Sequence, residues 1–273
     1  MADKIRLDVL LHDRGFVDSR EKAKKLIKDG SVMVNGKVQS KAGTTVNETD
    51  VVELCGELMP YVSRGGFKLE KAVEVFGLKL DGCTCMDIGA STGGFTDCML
   101  QNGAVKVFAV DVGSGQLSHK LLADNRVINM EQTNFRYLSK ESIPDDINFA
   151  SVDVSFISLK HIIPNLFNVL ADNGRAVCLI KPQFEAGKEK LGKNGIIKDI
   201  TVHKDVVADI YRFAEETGFS VHGIDFSPIK GPKGNIEYLI YLQKGSEGVP
   251  FNSKNVEEIV FRSHNELNRS EGR

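Results

Sequence analysis

The chain has 273 residues and a mass of 30.0 kDa, which fits one large domain or two unequal ones. Hydrophobic residues make up 41% of it and charged residues 26%, so it can bury a sizeable core and lacks the composition of a disordered chain. No stretch approaches the roughly 18 to 20 apolar residues that a membrane-spanning helix needs, and charges run through the first twenty residues. We therefore expect a cytoplasmic protein with no membrane partner.

Cysteine and histidine usage argues against a metal centre. The five cysteines are scattered among apolar neighbours without a C-x-x-C pair, and the six histidines are dispersed along the chain. We expect reduced, mostly buried thiols and no bound metal ion.

The first sixty residues predict a small α+β domain. Leucines at helical spacing precede Gly15, which is expected to end a first helix, and Ser19 is suited to cap a second helix that runs to Gly30. The dipeptide Asn35-Gly36 stands between alternating residues and predicts a hairpin, and a further strand is expected near residues 51–54.

Basic charge is concentrated in this first domain, although the formal net charge of the whole chain is only -2. Residues 14–41 contain eight lysines and arginines against three acidic residues. Such a run is usually a solvated face, but it also suits contact with nucleic-acid phosphates. The candidate phosphate contacts are Arg6, Arg20, Lys24, Lys37, Lys41 and, just after the domain, Arg64.

A change of pattern after Pro60 predicts a second, larger α/β domain. We place the boundary between Met59 and Val62, because strands and helices alternate from there onward. Seven strands fit an open, Rossmann-like sheet whose last two strands are close enough in sequence to pair antiparallel. A polar stretch and a helix from Lys254 to about Asn268 follow. The expected strands are Cys83 to Ile88, Val105 to Asp111, Arg126 to Met130, Phe149 to Asp153, Ala176 to Lys181, Ser220 to Phe226 and Ile236 to Leu242.

A glycine-dense turn follows the first of these strands, in residues 86–95. The backbone must pass close to a ligand there, but the G-x-G-x-x-G spacing of a dinucleotide site is missing. S-adenosylmethionine is the better match, with Asp87 and Asp111 as acceptors at two strand ends. The alternative is a turn that only shapes the fold. The candidate cofactor residues are Asp87, Gly89, Ala90, Ser91, Gly93, Gly94, Phe95, Asp111, Thr133, Asn134 and Asp153.

Four charged side chains form a candidate catalytic group. Asp153 and Lys181 end neighbouring predicted strands at the carboxyl edge, where open α/β sheets place their chemistry. Lys68 precedes the sheet and Glu237 lies near its last strand. Singly, each is more often a surface charge or a structural ion pair, but four of them around a cofactor edge predict one site.

The candidate site residues and the sequence around them resemble known protein families. The order Lys, Asp, Lys, Glu of the four side chains resembles the catalytic tetrad of the FtsJ-type RNA 2′-O-ribose methyltransferases, and the first domain resembles the S-four RNA-binding module. Their fusion resembles the TlyA family over residues 4–243. The strings that carry the resemblance are Arg6-Leu-Asp, Ser19-Arg20, Val34-Asn-Gly36, Ser63-Arg-Gly-Gly, Asp87-Ile-Gly-Ala-Ser-Thr-Gly-Gly-Phe95, Asp111-Val-Gly-Ser-Gly-Gln-Leu117, Ser155-Phe-Ile-Ser158 and Lys181-Pro-Gln-Phe-Glu185.

The resemblance implies a domain organisation and an activity. It implies an S-four-like RNA-binding domain at residues 1–59, a linker at 60–64, an FtsJ-like domain at 65–245 and a C-terminal segment at 246–273. It further implies S-adenosylmethionine-dependent methylation of a ribose 2′-hydroxyl, with cytidines of ribosomal RNA as targets and ribosomal RNA or ribosomal subunits as partners. Lys181 is the candidate base. Alternatively, it steers the hydroxyl and stabilises its charge while the proton leaves through Asp153 or water.

Two other functions stay open at this point. The family's name suggests a membrane-acting hemolysin, for which the available apolar element is the helix after Lys254. A non-catalytic RNA-binding assembly factor would keep the scaffold without the activity. For each of these functions, and for the methyltransferase, we expect a monomer.

Overall fold

The structure is a computed structural model that describes residues 4–28, 31–54 and 60–269. The chain divides into two compact units, Met1–Pro60 and Tyr61–Arg273. The predicted helix end at Gly30 and the predicted boundary residue Met59 lie outside the described residues.

The first unit is a small α+β fold around one apolar cluster, to which Leu7, Leu11 and Ile27 contribute fully buried side chains. Its elements are β1 (Lys4–Arg6), α1 (Leu7–Asp13), α2 (Arg20–Lys28), β2 (Val32–Val34), β3 (Lys37–Gln39), β4 (Thr45–Asn47) and β5 (Val52–Leu54). Strand β2 pairs antiparallel with β3 and β5, and β1 pairs antiparallel with β4.

Local sequence signals explain most of this unit. Gly15 follows α1 with a φ of +74°, and the Ser19 hydroxyl accepts a hydrogen bond of 3.3 Å from the amide of Lys22, which caps α2. Asn35 and Gly36 have φ values of +50° and +74° and join β2 to β3 in the predicted hairpin. The strands β1 and β4 were not predicted, because three residues are too few to show a period.

The second unit contains one sheet with helices on both faces. Its strands are β6 (Thr84–Ile88), β7 (Lys106–Val110), β8 (Val127–Met130), β9 (Ile147–Val152), β10 (Leu170–Ile180), β11 (Phe219–Phe226) and β12 (Tyr238–Lys244). Its helices are α3 (Gly66–Phe76), α4 (Gly94–Gln101), α5 (His119–Leu122), α6 (Ile163–Val169), α7 (Pro182–Glu185), α8 (Ile200–Glu216) and α9 (Ser253–Arg269).

The strand order is β11-β12-β10-β9-β6-β7-β8. Strands β10, β9, β6, β7 and β8 run parallel, while β12 is antiparallel to both β10 and β11. The predicted seven-stranded Rossmann-like sheet and the antiparallel pairing of its last two strands are confirmed. Strand order reverses between β6 and β9, so a crevice opens at the carboxyl ends of these two strands.

Apolar side chains cover both faces of the sheet. Met86 and Ala150 belong to one layer, and Cys85 and Phe149 belong to the other. Adjacent residues of one strand fall in different layers because side chains alternate along a strand. Both layers are therefore closed by helices, which explains why the central strands have nearly continuous apolar sequences.

The C-terminal helix α9 packs into the layer that contains Met86, next to α8 and β11. Its apolar face, which the sequence left without a partner, is therefore covered by the core of the second unit. Within the described ranges, no helix is both long and apolar enough to span a membrane. The buried side chains of α9 include Val256, Ile259, Val260 and Leu267.

Candidate active site

The glycine-dense turn after β6 lies directly against the end of β9. Gly89 has a φ of +86°, and a Cβ atom there would stand 2.6 Å from the carbonyl oxygen of Asp153. The amide of Asp153 in turn donates a hydrogen bond of 2.9 Å to the carbonyl of Ile88. Only glycine permits this approach, so the predicted turn brings the end of β6 next to the candidate catalytic residue Asp153.

Asp87 faces the core behind this turn. Its side chain is fully buried, and Oδ2 accepts hydrogen bonds from the amide and hydroxyl of Thr96 at 2.9 and 2.7 Å. Oδ1 accepts one from the Ser151 hydroxyl at 3.0 Å. Burial raises the pKa of Asp87 to about 6, against the opposing effect of these hydrogen bonds. These partners satisfy Asp87 inside the core, where it fixes the start of α4, and its side chain does not line the cleft described below. Its contact with a cofactor stays a prediction.

Asp111 supports the same turn from the end of β7. Its Oδ2 accepts a hydrogen bond of 2.8 Å from the amide of Ser91, and its Oδ1 accepts one of 2.7 Å from the amide of Gly113. The side chain is half-buried rather than enclosed. It therefore keeps carboxylate lone pairs for a further donor such as a ribose hydroxyl.

The remaining predicted cofactor residues separate into two sets. A Cβ atom at Gly93 would stand 2.2 Å from the Leu121 side chain, so this glycine faces the core. The Thr133 hydroxyl donates to the carbonyl of Glu131 at 3.0 Å, and Asn134 caps a short turn; neither lines the cleft. The predicted cofactor residues that do line the cleft are Gly89, Ala90, Ser91, Gly94, Phe95 and Asp153.

The four predicted catalytic side chains meet in one ion-paired group. The Nζ of Lys181 lies 2.6 Å from Asp153 Oδ1, and the Nζ of Lys68 lies 3.2 Å from Asp153 Oδ2. Lys68 Nζ also lies 2.8 Å from Glu237 Oε2. Both lysines and Glu237 are buried, and the Asp153 side chain is 19% exposed. We call this group the tetrad.

The charges in the tetrad stabilise one another. Burial alone would lower the pKa of Lys68, but the carboxylates of Asp153 and Glu237 outweigh it and raise that pKa above its ordinary value. Burial would likewise raise the pKa of Asp153, but Lys68 and Lys181 lower it. Lys68 therefore stays an ammonium and Asp153 a carboxylate at neutral pH.

A cleft of about 760 Å³ has the tetrad and the glycine-dense turn in its walls. This volume falls in the range of small-molecule and cofactor sites. Among the described residues, the buried atom Gln183 Oε1 in the lining has neither a hydrogen-bond nor an ion-pair partner. A cleft that combines exposed backbone, an unpaired amide oxygen and ionised side chains suits a nucleoside-like cofactor beside a polar substrate.

Several residues at the mouth of this cleft were not among the predicted site residues. Phe156 is 87% exposed and has a φ of +64°, which is strained for a bulky side chain. Its ring centroid lies 5.1 Å from that of Phe184. The hydroxyl of Ser155 accepts a hydrogen bond of 3.0 Å from Lys181. The strings Ser155-Phe156 and Gln183-Phe184 were available in the sequence, but nothing in them indicates a strained, exposed aromatic ring.

The predicted phosphate contacts of the first unit differ in how they are held. The guanidinium of Arg6 lies 2.8 Å, and that of Arg20 3.3 Å, from the fully buried carboxylate of Asp8, and both arginine side chains are about half exposed. Asp8 was not predicted. Lys24 pairs with Glu21 at 2.6 Å. The remaining candidates, all exposed, are Lys37, Lys41 and, in the second unit, Arg64.

No group of three histidine, cysteine or acidic side chains in the described part of the chain is placed to hold a metal ion.

Two family models match the sequence. The model described as FtsJ-like methyltransferase matches residues 61–244, and the model described as S4 domain matches residues 5–52.

Individual relatives cover nearly the whole chain. The Mycobacterium tuberculosis protein named 16S/23S rRNA (cytidine-2′-O)-methyltransferase TlyA is 38% identical over 97% of this chain and 99% of its own length. A Brachyspira hyodysenteriae protein named Hemolysin A is 46% identical over 87% of this chain and 99% of its own length. A solved structure from Streptococcus thermophilus, whose name contains the word hemolysin, is 46% identical, with full coverage of both chains and a TM-score of 0.80.

Proposed function

Because the chain belongs to the FtsJ-like methyltransferase family, we propose that it transfers a methyl group from S-adenosylmethionine to a ribose 2′-hydroxyl of ribosomal RNA. The name of the M. tuberculosis relative specifies cytidine, which favours cytidine here. The observation that carries the proposal is the tetrad, whose four side chains are joined by close contacts in the wall of a cofactor-sized cleft.

The cofactor supplies an electrophilic methyl group when bound, and this chain's part is to hold it beside the tetrad. The lining residues of the turn, from Gly89 to Phe95, would hold it through their backbone, with α4 beginning at Gly94. Asp111 would accept hydrogen bonds from ribose hydroxyls. Asp87 contributes indirectly, because its hydrogen bonds with Thr96 fix the first turn of α4.

The tetrad would act on the substrate hydroxyl. A ribose hydroxyl is a weak nucleophile at neutral pH, so attack requires a proton acceptor and stabilisation of developing negative charge. Lys181 has its nitrogen at the cleft wall, held by Asp153 and Ser155. It serves either as the base or as the cation that orients the hydroxyl while the proton passes to Asp153 or water. Lys68 and Glu237 hold Asp153 in place from the other side.

The mouth of the cleft suits a nucleotide turned out of its RNA helix. Base edges are hidden in the deep groove of A-form RNA, so one ribose is reached most easily when its nucleotide is extruded and stacked on an aromatic ring. Phe156 and Phe184 present such rings beside Ser155 and Lys181. The arginines held by Asp8 and the exposed lysines of the first unit would contact phosphates. We accordingly propose ribosomal RNA or a ribosomal subunit as partner and the cytoplasm as the place of action.

A membrane-acting hemolysin receives no support from α9. The apolar side chains that this function would need, including Val256, Ile259 and Val260, are buried in the core of the second unit. We therefore do not advance hemolysis as a second function.

The test is methyl transfer from labelled S-adenosylmethionine to ribosomal subunits and to naked ribosomal RNA. We expect label at a ribose 2′-oxygen with the wild type and none with Lys181→Ala. Leakage of dye-loaded liposomes is measured in parallel. Leakage without methylation would overturn the proposal in favour of a hemolysin, and RNA binding without methylation would favour an assembly factor.

A further inference from the structure

The C-terminal helix α9 is joined to the catalytic cleft by buried hydrogen bonds. It lies outside residues 61–244, which the FtsJ-like family model matches. Ser263 of α9 is fully buried, and its hydroxyl lies 3.0 Å from the hydroxyl of Tyr238. Tyr238 is the first residue of β12 and directly follows Glu237 of the tetrad.

Tyr238 also contacts His203 of α8. The Tyr238 hydroxyl lies 2.8 Å from Nδ1 of His203, and Nε2 of His203 lies 3.1 Å from the carbonyl oxygen of Ile197. A carbonyl can only accept, so Nε2 carries the proton and Nδ1 is an acceptor. Two donors reach Nδ1, the Tyr238 hydroxyl and, at 3.2 Å, Nε2 of His264 in α9, so α9 contacts His203 directly as well as through Tyr238. Burial lowers the pKa of His203 to about 4, which keeps the ring neutral with this one proton.

The hydrogen bonds continue from Ile197 into the cleft wall. The amide of Ile197 donates to Asn235 Oδ1 at 3.0 Å, and Asn235 Nδ2 donates to the carbonyl of Gly195 at 3.1 Å. The amide of Gly231 donates to the carbonyl of Asn235 at 2.9 Å. Gly195, Gly231 and Asn235 line the cleft. We call residues 195–197 and 231–235 the cleft rim.

The rim in turn lies against the tetrad. A Cβ atom at Gly231 would stand 2.5 Å from Glu237 Oε1, so the rim backbone approaches this carboxylate closely. Glu237 reaches Lys68, while the next residue, Tyr238, reaches His203 and Ser263. Consecutive side chains at the start of β12 thus connect to the tetrad and to α9 respectively.

A buried polar network can contribute to core stability alone, but this network also contacts the cleft rim. A network confined to core stability would need no partners in the cleft, whereas this one ends in backbone groups of the rim. Its members must all be satisfied to avoid the cost of unpaired buried groups, so moving α9 would shift the rim as well.

We propose that α9 fixes the cleft rim for methyl transfer through Tyr238 and His203, which are positioning residues of the active site. This inference rests on the proposed function. The rim, held by α9, places Glu237 against Lys68 and so keeps the tetrad in its paired arrangement. We call the hydrogen bonds from Ser263 through Tyr238 and His203 to Ile197 the relay. Loss of the relay should lower turnover and leave cofactor affinity nearly unchanged, because the glycine-dense turn has no part in it.

The kinetic test uses the full chain with Tyr238→Phe, His203→Leu and His203→Gln, below the melting temperature of each variant. Tyr238→Phe and His203→Leu should reduce the single-turnover rate about fivefold or more, the scale of a lost hydrogen bond, with the Kd for S-adenosylmethionine within about twofold. His203→Gln, which can keep a donor toward Ile197, should recover part of the rate. The matched control is Val260→Ala, which removes buried apolar contact from α9 but no relay bond.

A rate lowered equally by Val260→Ala and Tyr238→Phe would overturn the proposal, because α9 would then act only through stability. Wild-type rates in both Tyr238→Phe and His203→Leu would do the same.

Hydrogen exchange provides a second readout that needs neither RNA nor methyl transfer. In Ser263→Ala, amides of the cleft rim should exchange faster than in the wild type, including those of Ile197 and Gly231. Faster exchange confined to α9 would show that the helix is not coupled to the rim. Since this measurement is independent of the reaction, its failure is distinguishable from a failure of the proposed function, which would appear as absent methylation by the wild type.

Discussion

Lys181 and Asp153 form an ion pair of 2.6 Å where two neighbouring parallel strands, β10 and β9, come to an end. The same carboxylate also receives Lys68 at 3.2 Å, so one aspartate holds two ammonium groups at the cofactor edge. The lysine nearer to Ser155 in the cleft wall is the one placed to meet a substrate hydroxyl. Its substitution therefore tests the chemistry most directly.

Lys181→Ala should abolish methylation while leaving cofactor binding intact. A positioned acid or base contributes about 10² to 10⁴ in rate, so the single-turnover rate should fall on that scale. Calorimetry should show binding of S-adenosylmethionine within a few fold of the wild type. The matched control is Lys71→Ala, whose ion pair with Asp225 lies outside the cleft lining and whose loss should leave the rate nearly unchanged.

Lys181→Arg separates the two roles that the geometry allows. Guanidinium keeps the positive charge but does not give up its proton near neutrality, so arginine should be nearly as inactive as alanine if Lys181 is the base. Recovery of most of the rate by arginine would assign Lys181 to electrostatic positioning. Loss of cofactor binding in Lys181→Ala would contradict both roles.

The sequence predicted the sheet and the tetrad for the same physical reason. Buried parallel strands have nearly continuous apolar sequences bounded by polar residues, and their carboxyl ends share one edge. Asp153 and Lys181 were therefore expected side by side, which the structure bears out at 2.6 Å. Lys68 and Glu237 reach the same edge from flanking elements.

Other features depended on contacts that no local pattern encodes. Asp87 is inward-facing because Thr96 and Ser151 satisfy it, and Ser151 is 64 residues away in sequence. The left-handed backbone of Phe156 is not indicated by its sequence either. The amphipathic pattern of α9 likewise indicates an apolar face but not the surface that covers it, which is formed by α8 and β11.

Asp87→Asn should change how stability depends on pH. The folded-state pKa of about 6 lies above the ordinary value of 3.8, so the contribution of Asp87 is fully present below about pH 4 and is lost as pH rises through about 6. Asparagine cannot ionise, so the variant does not lose this contribution as the pH rises. Over this interval its free energy of unfolding should therefore increase relative to that of the wild type by on the order of 3 kcal/mol. Urea denaturation from about pH 4 to about pH 7 measures the difference, and a constant difference across this window would contradict the assignment.

Phe156→Ala should impair methylation of RNA without loss of stability. The ring is 87% exposed, so its removal forfeits little burial. Alanine keeps a Cβ atom, so the strain of the left-handed backbone stays about the same. Stacking on an aromatic ring is worth about 1 to 3 kcal/mol per base, so kcat/KM for RNA should fall roughly tenfold or more. The control is Phe261→Ala, which removes another exposed ring at 60% exposure. Equal kinetics for Phe156→Ala and the wild type would exclude the ring from substrate binding.

Charge removal in the first unit should weaken RNA binding in a salt-dependent manner. Lys37 and Lys41 are exposed, so each is available to a phosphate at little structural cost. Each lost phosphate contact lowers the slope of log K against log salt by about 0.7 to 0.9, so Lys37→Gln with Lys41→Gln should flatten it by about 1.5. The control changes the same net charge in the second unit through Lys79→Gln with Lys254→Gln, two exposed lysines outside the cleft lining. Titration of ribosomal RNA at several salt concentrations gives both slopes. If the control pair flattens the slope as much as the first pair does, net charge alone drives binding and the two lysines have no specific phosphate contacts.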